Sequence, residues 1–168
     1  MDVLAAIEAR RSIRRYTDQV LSKEQIEQLL RAAHLAPSAR NRQEWKFIAV
    51  SDKEKIAQLA EISGQVFLAD APLVIAGVGL EPTRTMRCGV PPAIVDVTIA
   101  LTQVSLLAVE MGLGTCWIGG YPQDEVRRLL GVPEEHQLVM LLSVGYPAEN
   151  PEPRPRVPFE KVVSHNKF

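Results

Sequence analysis

The chain has 168 residues, of which 46% are hydrophobic and 23% charged, and its formal net charge is -1. This length fits one domain, and the composition is that of an ordinary globular protein. A near-neutral charge gives no reason to expect nucleic acid or an anionic membrane as a partner, so any basic site must be a local cluster. The two cysteines are too few for a disulfide scaffold and indicate reduced thiols.

The sequence carries no sign of export or membrane insertion. Its N-terminus lacks the basic and apolar regions of a signal peptide. Its long apolar stretches are interrupted by Asp96, Gln103 and Glu110, so no segment is expected to span a bilayer. We therefore expect a cytoplasmic protein. The three histidines are scattered along the chain, and no metal site is expected.

Two helices are predicted before the first strand. Residues 2–11 are typical of a short helix with Asp2 as its N-cap and with apolar residues on one face. Residues 22–25 (SKEQ) fit a capping box, and the apolar spacing that follows is that of an amphipathic helix. Pro37 ends this second helix.

The middle of the chain predicts two strands around a third helix. Residues 45–50 (WKFIAV) are typical of a strand. Residues 51–54 (SDKE) resemble a second capping box, which predicts that a helix begins with Ser51 as its N-cap. The short apolar run at residues 72–79 indicates a buried strand.

The second half predicts a long helix, a short helix and a strand. Residues 93–111 form a helix whose apolar side chains nearly encircle it, so it must be covered on most sides, and a second subunit could provide that cover. Residues 112–114 (GLG) stop this helix. Residues 122–130 predict a helix that Pro122 opens, and residues 138–144 predict a buried strand.

The C-terminal segment, residues 147–168, changes character. Five of the twelve prolines lie between Pro147 and Pro158, which favours an extended tail rather than a helix. Such a tail either lies free in solvent or wraps a neighbouring subunit. The strand and helix signals elsewhere alternate irregularly, which indicates an α+β fold rather than repeated βαβ units.

Two arginine clusters are candidate phosphate sites. The first comprises Arg10, Arg11, Ser12 and Arg14, in which guanidinium groups flank a hydroxyl. Arg10 and Arg14 are four residues apart, so they are expected to share a helical face if the first helix continues that far. The second comprises Arg154 and Arg156, separated by a proline that stiffens the segment. Arginine presents a planar set of donors that suits oxyanions. The alternative is a solvated basic run at a helix end and a basic disordered tail.

Two further segments could contact a flat ligand. Residues 36–45 form a polar loop with Pro37, Ser38, Ala39 and Asn41, and its amide side chains suit a ring edge of alternating C=O and N–H groups. Gly119 and Gly120 let a backbone approach a ligand closely and donate N–H groups to it. The alternative for both segments is ordinary turn chemistry.

These motifs, in this order, resemble the nitroreductase family of FMN-dependent oxidoreductases. The pattern Arg-x-Ser-x-Arg/Lys is matched by Arg10, Ser12 and Arg14. The Pro-Ser-x-x-Asn-x-Gln-x-Trp loop is matched at residues 37–45, and Gly-Leu-Gly-x-x-Trp-x-Gly at residues 112–119. The remaining matches are Ala-Asp-Ala-Pro at 69–72, Gly-Tyr-Pro at 145–147 and the basic proline-rich end at 154–156. The resemblance covers nearly the whole chain.

The resemblance implies a fold, a cofactor and an assembly. The fold would be a mostly antiparallel central sheet flanked by helices, in one domain spanning residues 1–168. Two chains would intertwine as a homodimer, with an extended C-terminal tail, and would hold FMN at the subunit interface. Three departures are visible: Ala39 stands where many members have a hydroxyl residue, Glu44 replaces the usual proline before Trp45, and the stretch 80–92 is short.

The resemblance also implies roles for individual residues. Arg10, Ser12, Arg154 and Arg156 would hold the FMN phosphate and ribityl end. Arg14 would lie beside N1 and the C2 oxygen of the flavin, where its charge stabilises the reduced ring. Donors near flavin N5 would come from Gly119 and Gly120, and the other subunit would contribute Pro37, Ser38, Ala39 and Asn41.

The implied reaction is a ping-pong transfer of electrons from NADH or NADPH to a small acceptor such as a nitroaromatic or quinone. Because the cofactor carries the redox chemistry, no general acid or base is assigned. Related chemistry on the same fold is an open alternative: flavin fragmentation, dehalogenation or ferredoxin-linked reduction. A non-enzymatic phosphate- or nucleotide-binding module is the alternative from a different class of protein.

Overall fold

Four antiparallel strands form the central sheet of the computed structural model, which describes all 168 residues. The strands run in the order β1-β2-β4-β3, so that β3 and β1 are the edges. The bounds are β1 (Trp45–Val50), β2 (Leu73–Gly79), β3 (Gly114–Ile118) and β4 (Gln137–Gly145). With the helices described next, this confirms the predicted α+β fold with an antiparallel sheet.

Five α-helices accompany this sheet, and four of them cover its two faces. They are α1 (Val3–Ala9), α2 (Lys23–His34), α3 (Lys53–Ser63), α4 (Pro92–Glu110) and α5 (Gln123–Leu130). Helices α2 and α4 pack on one face together with residues of β2 and β4. Helices α3 and α5 supply the opposite face, where they bury the alternate residues of the same strands. Strand β2 is buried along its full length because it is covered on both sides.

Helix α4 lies close against the sheet. Gly77 of β2 makes this possible, because a Cβ at that position would lie 2.5 Å from Cγ1 of Val97. By length and hydropathy alone, α4 is apolar enough to cross a membrane, and half of that stretch is buried within the fold. Helix length and hydropathy therefore do not support the prediction that no segment spans a bilayer. The packing of α4 against the sheet makes it the core helix of the fold.

The structure confirms most predicted elements and corrects three. The first helix is shorter than predicted and ends at Ala9, and its apolar residues Leu4 and Ile7 are 63% and 52% exposed. Strand β3 was not predicted, because the glycines at both ends of residues 114–120 favour a turn. The four residues between Gly114 and Gly119 are of strand-forming types, and they were the signal for β3.

The third correction concerns the start of α3. Ser22 forms the predicted capping box with Gln25 at the start of α2. The second box, with Ser51 as N-cap, is wrong: Asp52 is the N-cap, and its carboxylate accepts a hydrogen bond from the N–H of Lys55. Aspartate caps as well as serine does and adds a negative charge at the helix N-terminus, so the helix begins one residue later.

A short segment, residues 12–17, is attached to the sheet on two sides. On one side, Ile13 N–H donates to the carbonyl of Thr115 in β3 over 2.9 Å. On the other side, Ala148 N–H donates to the carbonyl of Arg15 over 2.8 Å, and Tyr16 pairs with Pro147. The segment therefore joins the N-terminal and C-terminal ends of the chain at the edge of the sheet.

A buried hydroxyl network fixes this segment. The Tyr16 hydroxyl donates to the carbonyl of Ile13 over 2.8 Å and lies 2.7 Å from the hydroxyl of Ser143 in β4. Ser143 also reaches the carbonyl of Cys116 in β3. Burial raises the pKa of Tyr16 well above its ordinary value, although the hydrogen bond with Ser143 acts in the opposite direction. The network keeps the tyrosine protonated and in place.

The tail beyond residue 150 is exposed along almost its whole length. It contains no α-helix and makes one turn of 3-10 helix at Phe159–Lys161. Its proposed wrapping around a second subunit stays a prediction.

The capping of α3 gives the first prediction. Asp52→Ala removes the side chain that satisfies a helix N–H and should lower the free energy of unfolding by about 1 kcal/mol. Ser51→Ala is the matched control, because Ser51 makes no capping bond, and it should change stability by less than about 0.5 kcal/mol. Urea unfolding of both variants measures the difference. A larger loss for Ser51→Ala would restore Ser51 as the N-cap.

The second prediction concerns alkaline pH. Because the folded state holds the Tyr16 proton more tightly than the unfolded chain does, its contribution to stability is present below pH about 10 and is lost as the pH rises further. Burial likewise raises the pKa of Tyr121 to about 12. Tyr16→Phe should therefore flatten the fall in unfolding free energy above pH 10, as measured by urea titrations.

Tyr16→Phe should also lower stability at pH 7 by about 1–3 kcal/mol, because buried partners of the hydroxyl lose a hydrogen bond. An alkaline slope identical to that of the unmodified protein would show that Tyr16 does not govern it. Tyr121→Phe is the comparison variant, and it should flatten the same pH range without moving residues 12–17.

Candidate functional site

A cleft of about 550 Å³ opens between the end of α1 and the C-terminal segment. It brings together two parts of the chain that are more than a hundred residues apart in sequence. Both predicted arginine clusters lie on its walls. The lining residues are Ile7, Glu8, Arg10, Arg11, Ser12, Arg14, Pro151, Glu152, Pro153, Arg154 and Arg156.

The cleft is strongly basic. Five of its lining residues are arginines and two are glutamates, which leaves an excess of three positive charges. None of the five arginines has a carboxylate oxygen within 4.0 Å. Like charges brought together without counter-ions repel one another, so this arrangement favours an anionic ligand.

Arg11 has a buried donor atom that is free to bind an anion. Its Nη1 donates to the carbonyls of Glu8 and Arg10 over 2.6 Å and 3.0 Å. Its Nε is buried and has no hydrogen-bond partner. A buried donor without a partner costs free energy that a bound acceptor would recover.

The arginines do not share a helical face. Because α1 ends at Ala9 and Arg10 adopts an extended backbone conformation, the predicted i,i+4 pairing of Arg10 with Arg14 is wrong. The side chains converge instead because Ser12 forms a parallel bridge with Thr115 of β3. Gly114 allows this approach, since a Cβ there would lie 2.5 Å from Cγ1 of Ile13.

The first residues of the C-terminal segment are fixed beside Arg14. The backbone N–H of Arg14 donates to Oε1 of Glu149 over 2.5 Å. This contact continues the pairing of Arg15 with Ala148. The prolines that follow stiffen the chain, so Arg154 and Arg156 lie across the cleft from Arg10. Glu149 was not predicted as part of the site, and sequence spacing alone offers no signal for it.

Arg14 also contacts an aromatic ring. Its guanidinium carbon lies 6.0 Å from the ring centroid of Phe67, in the 3-10 turn Val66–Asp70. At this distance the ring attracts the cation. Cys116 of β3 lies nearby, and burial raises the pKa of its thiol more than Arg14 and Arg10 lower it. Cys116 is therefore a buried neutral thiol rather than a reactive one.

Gly119 and Gly120 lie outside the cleft but on the same edge of the sheet. Gly119 follows β3 directly, four residues beyond Thr115, or about 13 Å along an extended strand, and Gly120 is the next residue. The position of a Cβ on Gly120 would be 3.9 Å from Nε2 of Gln65, and on Gly119 it would be 3.3 Å from Sδ of Met140. Gln65 is a second residue that the sequence prediction missed, and it places an amide beside these glycines.

The predicted loop at residues 37–41 is not part of the cleft in this chain. It follows α2 and makes one turn of 3-10 helix at Ala39–Asn41. Arg40, Asn41 and Gln43 have φ values of 57°, 54° and 55°. This left-handed conformation costs about 1–2 kcal/mol for each residue that is not glycine. Such a loop persists only where its surroundings hold it, and strain of this kind is typical of functional sites.

Glu44 ties the short 80–92 stretch to this loop. Nε of Arg84 donates to Oε2 of Glu44 over 2.8 Å, and Arg42 reaches Oε1 over 3.3 Å. Burial acts to raise the pKa of the Glu44 carboxyl, but the hydrogen bonds from Arg84 and Arg42 outweigh it and lower that pKa. Of the other residues in the stretch, Cys88 is a free, exposed thiol with no partner that would activate it.

Comparison with known proteins assigns this architecture to a family. The model of the nitroreductase family matches residues 7–72 and 63–146. A protein of Archaeoglobus fulgidus with the provisional name NADH dehydrogenase/NAD(P)H nitroreductase is 37% identical over 155 residues, which cover 88% of this chain and 87% of that protein. An FMN reductase of Bacillus subtilis that uses NAD(P)H is 32% identical and covers 99% of this chain and 74% of its own length.

Solved structures agree in fold. An FMN-dependent nitroreductase from Clostridium difficile R20291 superposes with a TM-score of 0.83 at 32% identity, covering 98% of this chain and 99% of that one. The NADPH:FMN oxidoreductase from Vibrio harveyi, complexed with NAD+, has a TM-score of 0.89 at 30% identity, covering 99% of this chain and 77% of that one. The family match, the sequence identity and the shared fold show that this chain belongs to the nitroreductase family.

Proposed function

We propose that this chain is a homodimeric, FMN-dependent oxidoreductase that takes electrons from NADH or NADPH and passes them to a small acceptor such as a nitroaromatic or a quinone. Its class is that of the FMN-dependent NAD(P)H oxidoreductases, and FMN is its cofactor. The observation that carries the proposal is the cleft in which five arginines face one another without carboxylate partners.

The residues of this cleft fit the phosphate of FMN. A phosphate monoester carries between one and two negative charges at neutral pH and offers three acceptor oxygens. The excess of three positive charges in the cleft and the unpartnered Nε of Arg11 match that chemistry. Arg10, Arg11, Ser12, Arg154 and Arg156 hold the phosphate end in this proposal. Arg14, whose backbone N–H donates to Glu149 and whose guanidinium lies over Phe67, would stand beside the flavin ring.

The edge of the sheet beyond the cleft suits the ring of the flavin. Gly119 and Gly120 are exposed and follow β3 directly, and their N–H groups would donate to the flavin ring near N5. When bound, FMN would supply the redox chemistry by accepting and donating two electrons, so no general acid or base is assigned to this chain. The protein binds and orients both substrates in turn at one place.

A second subunit completes the site in this proposal. Pro37, Ser38, Ala39 and Asn41 lie away from the cleft of their own chain, so they serve the cleft of the partner. The apolar residues Leu4, Ile7 and Ile94, on α1 and α4, are exposed in one chain and support the burial of this face between subunits. The extended tail would then wrap the partner.

The order of binding follows from a shared site. NADH or NADPH binds, is oxidised and leaves before the acceptor takes its place, which is a ping-pong mechanism. We expect the enzyme to act in the cytoplasm, where its two cysteines stay as the free thiols that the structure contains. Arginine clusters alone would also serve a non-enzymatic phosphate-binding module, but membership of this family favours the enzyme.

The function is tested on the purified protein. We expect a yellow protein that releases FMN on denaturation, as identified by absorption and mass spectrometry. Initial rates measured with NADH or NADPH against a nitroaromatic or a quinone should give parallel double-reciprocal lines. A colourless protein that takes up no added FMN would refute the assignment, and intersecting lines would refute the ping-pong order. A panel of other acceptors separates the alternative flavin chemistries.

The proposed binding of the FMN phosphate by arginines gives a further prediction. Replacing both Arg154 and Arg156 with glutamine should weaken FMN binding by about 10- to 100-fold, because charge-assisted hydrogen bonds of about 1.5–3 kcal/mol are lost. Riboflavin, which lacks the phosphate, should bind the variant as well as it binds the unmodified protein. Fluorescence titration measures both dissociation constants. Lys161→Gln is the matched control, because Lys161 is an exposed cation of the same tail outside the cleft.

A further inference from the structure

Asp96 is a buried carboxylate that the proposed function does not use. It lies in the first half of α4 and is only 5% exposed. Both of its oxygens face the backbone N–H of Ala39, at 3.2 Å and 3.1 Å. Buried acids are rare unless a partner offsets the loss of hydration. The N–H of Ala39 is the one hydrogen-bond donor that the structure places within reach of this carboxylate.

The contact of Asp96 with Ala39 anchors a strained loop. Within residues 38–43, the bonds are internal: Asn41 N–H donates to the carbonyl of Ser38 over 2.9 Å, and Gln43 N–H donates to the hydroxyl of Ser38 over 3.0 Å. No other hydrogen bond joins residues 38–43 to a helix or strand. Three of the residues after Ala39 are in the left-handed region without being glycine. Asp96 is thus the polar attachment of this loop to the body of the protein.

We propose that Asp96 is a positioning residue for the flavin site: through Ala39 it holds the loop 38–43 in its left-handed conformation, so that Ser38, Ala39 and Asn41 meet the ring of the cofactor. This inference rests on the proposed function, in which the loop contacts the flavin bound mainly by the other subunit. Asp96 touches neither cofactor nor substrate. Its effect is confined to the ring end of the site, because the phosphate cleft is built from other segments.

Asp96→Ser is the informative variant. A serine at this position loses the reach to Ala39, yet its hydroxyl can bond to the carbonyl four residues earlier, as Thr98 and Thr102 do in the same helix. The new hydroxyl therefore keeps a hydrogen-bond partner in the core, and the group that loses its partner is the half-buried N–H of Ala39. Asp96→Asn is the conservative variant, because its amide oxygen still accepts from Ala39. Ser105→Ala is the matched control, since Ser105 is a buried polar residue of α4 that bonds only within the helix.

The measurement compares riboflavin with FMN in each variant. In Asp96→Ser, both dissociation constants should rise by the same factor, about tenfold, so that their ratio stays as in the unmodified protein. Asp96→Asn should recover most of the lost affinity, and Ser105→Ala should change neither constant. If Asp96 only stabilised the fold, Asp96→Ser would lower the thermal midpoint without a specific loss of riboflavin binding. The thermal midpoint of each variant is therefore measured as well.

A second substitution tests the strain directly. Arg40→Gly relieves the left-handed conformation at an exposed position. Added to Asp96→Ser, it should restore part of the riboflavin affinity, because the loop then needs less external support. Restoration would support the inference.

Three results would overturn the inference: unchanged riboflavin binding in Asp96→Ser, a loss limited to FMN, or loss of the fold in both Asp96→Ser and Asp96→Asn. A riboflavin-to-FMN ratio near one in the unmodified protein would instead refute the phosphate grip of the proposed function. The two failures are therefore distinguishable.

Discussion

The attachment of residues 12–17 to β3 on one side and to the segment after β4 on the other is the constraint on which the rest of the site depends. Ile13 pairs with Thr115 of β3, and Arg15 pairs with Ala148 beyond β4. Two segments more than a hundred residues apart are thereby held within one cleft. Without these backbone bonds, Arg10 and Arg154 would belong to two flexible ends, and ordering them around a ligand would cost conformational entropy at each binding event.

Five arginines held in one cleft repel one another, and the fold keeps them there before any ligand binds. The segment is fixed by contacts that do not depend on ligand: the buried Tyr16 network, the close approach of Gly114 to Ile13, and the bond from Arg14 to Glu149. Because the geometry exists before an anion arrives, the repulsion among the guanidinium groups is already present and is relieved on binding. Preorganisation of this kind turns electrostatic strain into affinity.

Local signals predicted most of the fold, and the order of the motifs along the chain pointed to the two arginine clusters that line the cleft. Strand Trp45–Val50, helix α4 and the capping box at Ser22 each follow from a periodicity or a motif within a few residues. Strand β3 was missed because its flanking glycines favour a turn, and its pairing with β4 is a long-range contact that no local pattern reports.

The side chains that position the site were also beyond the sequence. Glu149 contacts Arg14 and Gln65 lies beside Gly120, and in each pair the two residues are far apart in sequence. Neither spacing nor residue type therefore predicts their place in the site. The relation of Arg10 to Arg14 was predicted wrongly for a related reason. It assumed that α1 continued, whereas the helix ends at Ala9 and the sheet edge decides where each arginine points.

Helix α4 connects the two ends of the proposed site within each chain. Near its N-terminus Asp96 holds the loop 38–43, and at its C-terminus a glycine turn leads directly into β3, which carries Ser12 beside it and Gly119 after it. In the proposed dimer the loop serves one flavin and the strand serves the other. Because α4 packs against strands of the sheet, the loop and β3 keep a fixed spacing within each chain. The apolar character of α4 on nearly all sides then has a mechanical reason as well as a packing reason: it is the rigid element that both sites share.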